Sequence, residues 1–191
     1  MKLGRRQQLL QIAAGLMAER GFHGTSINDL ADAAGVSGPA IYRHFPSKQS
    51  ILAEMLIDVS RRLLEEGERR VAAAPDPAAA VASLINWHVE FALTEPDLIR
   101  VQERDLASLD PEQQRAVRRL QRGYTEIWVD QLRLVVTGLD LVTARVRVHA
   151  TFGLLNSTPY SGRGVAVARM TSELTRFARA VLLLEPADPA N

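Results

Sequence analysis

The segment GVSGPAIYRHFPSKQSIL, residues 35–52, decides how the chain is read. The sequence has only five Phe, three Tyr and two Trp, yet Tyr42 and Phe45 fall three apart here, among Arg43, His44 and Lys48 and just after Gly38 and Pro39. Upstream lies TSINDLADAAG, in which Ser26 is a good N-cap, reinforced by Asp29 three residues later. Ile27, Leu30, Ala31 and Ala34 give that helix a small apolar face, and Gly35 can take a positive φ just past its end. Only Gly35-Val36-Ser37 separates it from a second helix over roughly 38–44, capped by Ser37, with Pro39 tolerated in the first turn. Two short helices joined by a three-residue turn containing Gly make a helix-turn-helix. Pro46 breaks the chain, and Ser47 caps a longer helix carrying Ile51, Leu52, Met55, Leu56, Val59 and Leu63.

The same residues carry chemistry. A helix entering the major groove of DNA needs small side chains at its start, as at Gly38, Pro39 and Ala40. Arg43, one turn on, can reach guanine, while Tyr42 and His44 can donate to phosphates and Val36, Ile41 and Phe45 pack inward. Lys48 occupies the first position of a helix, where a cation opposes the helix dipole. Free amides plus a lysine make a phosphate clamp there. Charge has the matching sign. Through residue 48 the balance is +3, from Lys2, Arg5, Arg6, Arg20, Arg43 and Lys48 against Glu19, Asp29 and Asp32, whereas the whole chain carries +1.

Working outward, Leu9, Ile12, Ala13, Leu16 and Met17 trace one face of a helix that Gly21 ends, with Phe22 packing beneath it. The break AAAPDPAAA spans 72–80. Val81, Leu84, Ile85, His88, Val89 and Ala92 form another helical face, closed by Pro96. Helical patterns follow over roughly 97–107, 111–136, 141–157 and 163–184. No stretch alternates like a strand, so the expected class is all-α. In the last segment Val167, Met170, Leu174, Phe177, Val181 and Leu184 recur at spacings of three and four, a seam that suits either an ordinary core helix or a helix pair presented to a second subunit. Ala150 and Gly153, one turn apart, allow close helix approach.

Composition excludes some classes. With no Cys there are neither disulfides nor thiolate metal sites. The absence of Cys makes a reducing cytosol the easiest home, no N-terminal apolar run resembles a signal peptide, and no stretch could span a bilayer. The four His residues lack metal-ligand spacing, and no G-x-S-x-G, H-E-x-x-H or phosphate-cradling glycine loop occurs, so neither a cofactor nor an enzymatic activity is expected. The competing readings are a helical enzyme and a helical interaction module without DNA. Arg115, Arg118, Arg119 and Arg122 form a basic stripe, with Glu112 and Glu126 spaced to pair with it.

Residues 9–52 closely resemble the DNA-binding region of TetR-type transcriptional regulators. The resemblance is carried by G-F-x-x-T-S-I-x-x-L-A-x-A-A-G-V-S followed by I-Y-R-H-F-x-S-K-x-x-I-L. It implies an N-terminal three-helix DNA-binding domain (1–46) and a C-terminal helical bundle for ligand binding and dimerisation (47–191). By the same resemblance Thr25, Tyr42, His44 and Lys48 match phosphate-contacting positions, and Gly38, Pro39, Ala40 and Arg43 match base-facing ones, with Ser37 opening the same helix. The last two long helices would form a homodimer interface through Ala150, Gly153, Val167, Met170, Leu174, Phe177 and Val181. Pocket candidates are Trp87, His88, Phe91, Arg104, Tyr124, Trp128, Phe152 and Asn156, polar tips on apolar bodies that suit a mixed site. The function this implies is a repressor that a small apolar or amphipathic effector releases from an operator.

Overall fold

The computed structural model describes residues 4–161 and 164–184, and all regular structure in them is helical. The elements are α1 (Arg5–Arg20), α2 (Ile27–Ala34), α3 (Gly38–Tyr42), α4 (Lys48–Ala73), α5 (Pro77–Thr94), α6 (Pro96–Asp105), a single 3-10 turn at Leu106–Ser108, α7 (Pro111–Val135), α8 (Leu141–Leu155), α9 (Thr158–Ser161) and α10 (Val167–Leu182). The expected segment over 163–184 becomes α10; its first residue lies outside the described residues.

Local chemistry sets the boundaries. Ser26 Oγ accepts from Asp29 N at 3.1 Å and the Asp29 carboxylate accepts from Ser26 N at 2.7 Å, a reciprocal cap that starts α2. Hydrogen bonds from Ser26 hold the Asp29 carboxyl below the usual carboxylate range. Gly21 (φ 83°) and Gly35 (φ 63°) end α1 and α2 at positive φ. Ser47 Oγ accepts from Ser50 N at 3.0 Å and Ser50 Oγ accepts from Ser47 N at 3.2 Å, so α4 begins with Lys48 as its first residue.

Ser37 departs from expectation. It sits at the N-cap of α3 but its side chain makes no capping bond. Pro39 has no N–H to offer, and the Ala40 N–H donates to the Ser37 carbonyl at 2.9 Å instead. α3 also stops at Tyr42 rather than 44. His44 N and Phe45 N both converge on Ile41 O, at 2.9 and 3.0 Å, forming a turn before Pro46, which disfavours helix at Phe45.

The chain forms two compact units. The first comprises residues up to Ser60 together with Asp97–Arg119. Its core joins Leu9, Met17, Leu30, Ile41, Phe45 and Leu52 to Val101, Leu109 and Val117. Within it Arg104 donates to the carbonyls of Met17 and, at 3.3 Å, Ala18, capping the last turn of α1. Gln49 Nε2 donates to Ser108 O at 2.9 Å.

The second unit comprises Arg61–Pro96 and residues from Leu120 onward. Here α10 packs on α8 and α5. The buried Arg147 guanidinium of α8 donates to the carbonyls of Leu182, at 3.1 Å, and Leu184, placing a cation at the C-terminal end of α10. α4 and α7 approach closely in this unit: a Cβ on Gly67 would lie 2.9 Å from Tyr124 Cε2. Glu126 does not pair with the α7 arginines; it bonds Arg145 of α8 at 2.9 Å.

Candidate nucleic-acid interface and buried aromatic cluster

α3 turns one side into the core and leaves the other open. Ile41 and Phe45 are fully buried, whereas Tyr42 is 55% exposed, and Ser37, Pro39 and Arg43 are exposed as well. Gly38, Ala40, His44 and Lys48 are half-buried. Thr25 is buried, and its hydroxyl donates to Gly21 O at 2.8 Å. Lys48 Nζ donates to the carbonyls of Phe22 and Thr25, each at 2.7 Å, and lies 4.4 Å from the Phe22 ring centroid. It therefore clasps the turn between α1 and α2.

Sequence reasoning missed Arg6 in this region. Its guanidinium bonds Glu54 of α4 at 2.7 Å through Nε, and its Nη1 donates to His44 O. Its partners lie 48 and 38 residues away, and local spacing carries no trace of them.

In the second unit the structure brings six of the pocket candidates together. His88, Phe152 and Tyr124 form a triangle of near-parallel rings, with centroids 4.9 Å (His88–Phe152), 5.8 Å (His88–Tyr124) and 5.6 Å (Phe152–Tyr124) apart. Phe91 and Trp128 meet His88 edge-on at 5.7 and 6.0 Å. His88 Nδ1 lies 3.3 Å from the Tyr124 hydroxyl and Nε2 lies 3.1 Å from Asn156 Oδ1. Asn156 Oδ1 can only accept, so Nε2 carries the proton and Nδ1 accepts from Tyr124. Burial pushes His88 down to about 4, against the bond to Asn156, and pushes the Tyr124 phenol up. The cluster is thus neutral, and the buried Trp128 Nε1 has no hydrogen-bond partner.

Two candidates lie elsewhere. Trp87 is half-buried beneath the Arg70 guanidinium, 5.3 Å from its ring centroid. Arg104 belongs to the first unit, where it also pairs with Asp105 at 3.1 Å. None of the eight pocket candidates lines either of two surface cavities in the second unit. One, about 860 Å³, runs along Leu154, Ser157, Met170 and Phe177; the other, about 210 Å³, lies beside Val81, Ile85 and Leu183. Among the described residues no group of three His, Asp or Glu could hold a metal ion.

The α10 seam divides in two. Leu174 is buried in its own chain, with Ala178 and Leu182. Val167, Phe177 and Leu184 are exposed, and Met170 and Val181 half-buried. On α8 Ala150 and Gly153 are exposed in line with Val142 (71%) and Val146 (62%), which sequence reasoning missed. The signal was present: 142, 146, 150 and 153 are spaced four, four and three, a helical stripe without charge.

Comparison with known proteins agrees with this architecture. Residues 9–55 match bacterial regulatory proteins of the tetR family, and residues 74–160 match the tetracyclin repressor-like C-terminal domain. The HTH-type transcriptional repressor KstR2 of Rhodococcus jostii is 40% identical over 89 residues, 47% of this chain and 44% of that protein. This chain therefore spans less than half the length of that relative. The TetR-family regulator PfmR of Thermus thermophilus superposes with a TM-score of 0.80 at 26% identity, covering 92% of this chain and 97% of the other. The ketosteroid regulator KstR2 of Mycobacterium tuberculosis gives 0.81 at 22% identity, covering 95% of each. A helix-turn-helix at the N-terminus, a helical bundle after it and family matches to both parts place this chain in the TetR family.

Proposed function

We propose that this chain is a transcriptional repressor that binds operator DNA as a homodimer in the cytoplasm and releases it when a small apolar or amphipathic effector binds. It is not an enzyme in this reading. Residues 1–46 serve DNA binding, and 47–191 serve effector binding and dimerisation. The observation that carries the reading is α3 and the turn that follows it, where Ile41 and Phe45 are wholly buried while Pro39, Tyr42 and Arg43 stand in solvent. No helix among the described residues is long and apolar enough to cross a membrane.

Ser37, Gly38, Pro39, Ala40, Tyr42, Arg43, His44 and Lys48 are the proposed DNA-facing set, with Thr25, whose buried hydroxyl bonds Gly21 O, supporting it from within the turn. Lys48 reaches it with two of its donors already on backbone carbonyls, so it shapes the turn as well as adding charge. The exposed apolar stripes of α8 and α10 support a two-fold interface, because water-exposed valines and Phe177 gain from being covered. The neutral aromatic cluster supports an apolar effector body. His88, Phe91, Tyr124, Trp128, Phe152 and Asn156 are its proposed contacts, with Trp87 nearby in sequence, and the Trp128 N–H is free to meet a carbonyl.

The experiment is selection of duplexes from a random-sequence pool by the purified protein, followed by titration at several salt concentrations. A two-fold symmetric site with half-sites about one turn of DNA apart is expected, with affinity falling steeply as salt rises. Enrichment of no sequence would remove the DNA-binding reading.

A further inference from the structure

α3 has five residues, too few to hold its own orientation by helical hydrogen bonds. Arg6 of α1 supplies an external tie. Its Nε donates to Glu54 Oε1 at 2.7 Å and its Nη2 donates to Glu54 Oε2, a two-point pairing with α4. Its Nη1 donates to the carbonyl of His44, just beyond α3. The guanidinium also lies 4.4 Å from the ring centroid of Phe45, the fully buried residue that anchors this turn. One planar cation thus joins α1, the end of α3 and the second turn of α4, all within the first unit. Arg6 and Glu54 remain 49% and 33% exposed, so the pair does not build the core, and exposed ion pairs add little to stability.

We infer that Arg6 is a positioning residue for α3, fixing the end of the DNA-reading helix to α4 through His44 O and Glu54. This rests on the DNA-binding reading above. A cation near DNA has a simpler use, direct contact with phosphate, and the two roles differ in sign. Lysine can replace arginine at a phosphate but cannot reproduce the two-point pairing or the third bond to His44 O. Removing an acid beside phosphate strengthens binding by relieving repulsion, whereas removing Glu54 from a positioning network weakens it.

The test titrates wild type, Arg6→Lys, Arg6→Gln, Glu54→Gln and the double variant Arg6→Gln/Glu54→Gln. Each is measured on a duplex that wild type selects from a random pool and on a scrambled duplex, over a salt series. Each single variant is expected to lose about tenfold in affinity for the selected duplex and little for the scrambled one, with the salt slope unchanged. The double variant should lose no more than Arg6→Gln alone. Glu54→Gln binding as tightly as wild type or tighter overturns the inference, as does full retention of affinity by Arg6→Lys. A salt slope lowered by about one in Arg6→Gln assigns Arg6 to phosphate instead. Circular dichroism checks folding; should Arg6→Gln fail to fold, Glu54→Gln decides alone, because it alters a half-exposed acid. A wild type that selects no duplex overturns the DNA-binding reading itself, and the inference falls with it.

Discussion

His88 stays uncharged because a proton on its second nitrogen would put a cation among four aromatic rings with Tyr124 as its neighbour. Its folded value of about 4 lies below the ordinary 6.5, so the folded state favours the neutral ring. That contribution is complete above about pH 6.5 and is lost as pH falls towards 4, amounting to about 3 kcal/mol at most. Denaturant unfolding of wild type should show this decline, and His88→Gln should flatten that part of the profile. Lys48 and Arg43 separate by a different measure. Lys48→Met removes the side-chain donor from Thr25 O and one of the two donors from Phe22 O, and should cost about 1–3 kcal/mol of stability in denaturant unfolding. Arg43→Ala, at an exposed position, should leave stability within about 0.5 kcal/mol while costing about 1–3 kcal/mol of discrimination at one base per half-site. Local rules made the caps legible: Ser26 with Asp29 and the glycines at 21 and 35 act on neighbours within a few residues. Lys48 was legible as an anomaly, since it breaks the dipole rule, but the carbonyls that occupy it lie 23 and 26 residues upstream.

At the scale of the helix, Gly67 and Phe177 give contrasting tests. Alanine inside a helix ordinarily stabilises over glycine by about 1 kcal/mol. At Gly67 its Cβ would fall 2.9 Å from the buried Tyr124 ring, which the aromatic cluster hems in. Gly67→Ala should therefore destabilise, by about 1–3 kcal/mol in thermal or denaturant unfolding. Phe177→Glu should instead leave the single chain folded and shift sedimentation from dimer to monomer, since Phe177 is 43% exposed. Leu174→Glu buries a carboxylate in the chain's own core and should unfold it. A wild type that sediments as a monomer at micromolar concentration would end the dimer reading. Periodicity announced α10 and its apolar residues, but a three-four spacing serves an inner core and an outer partner equally well. Which residues face which way depends on α5 and α8, and that depends on the whole bundle.

For the molecule as a whole, the question is coupling. α4 begins at Lys48 beside the helix-turn-helix and reaches Gly67 against Tyr124 as one unbroken helix. If an effector weakens operator binding tenfold, operator must weaken effector binding tenfold, about 1.4 kcal/mol. Calorimetric titration of acyl thioesters, fatty acids and aromatic metabolites, with and without the selected duplex, measures this; a ligand with equal affinity in both cases is not the effector. The helical class and the helix-turn-helix were legible because they follow from spacing along the chain. The return of residues 97–119 to the first unit was not, because no local pattern records which core a helix will join. That return has a consequence for synthesis. A ribosome delivers Leu9, Met17, Ile41 and Phe45 long before Val101, Leu109 and Val117, the residues that close the same core. The nascent reading head therefore lacks the last part of its core, Val101, Leu109 and Val117, until Val117 has emerged, and a graft of residues 1–46 onto a foreign scaffold would leave these behind together with Ile51, Leu52, Met55 and Leu56.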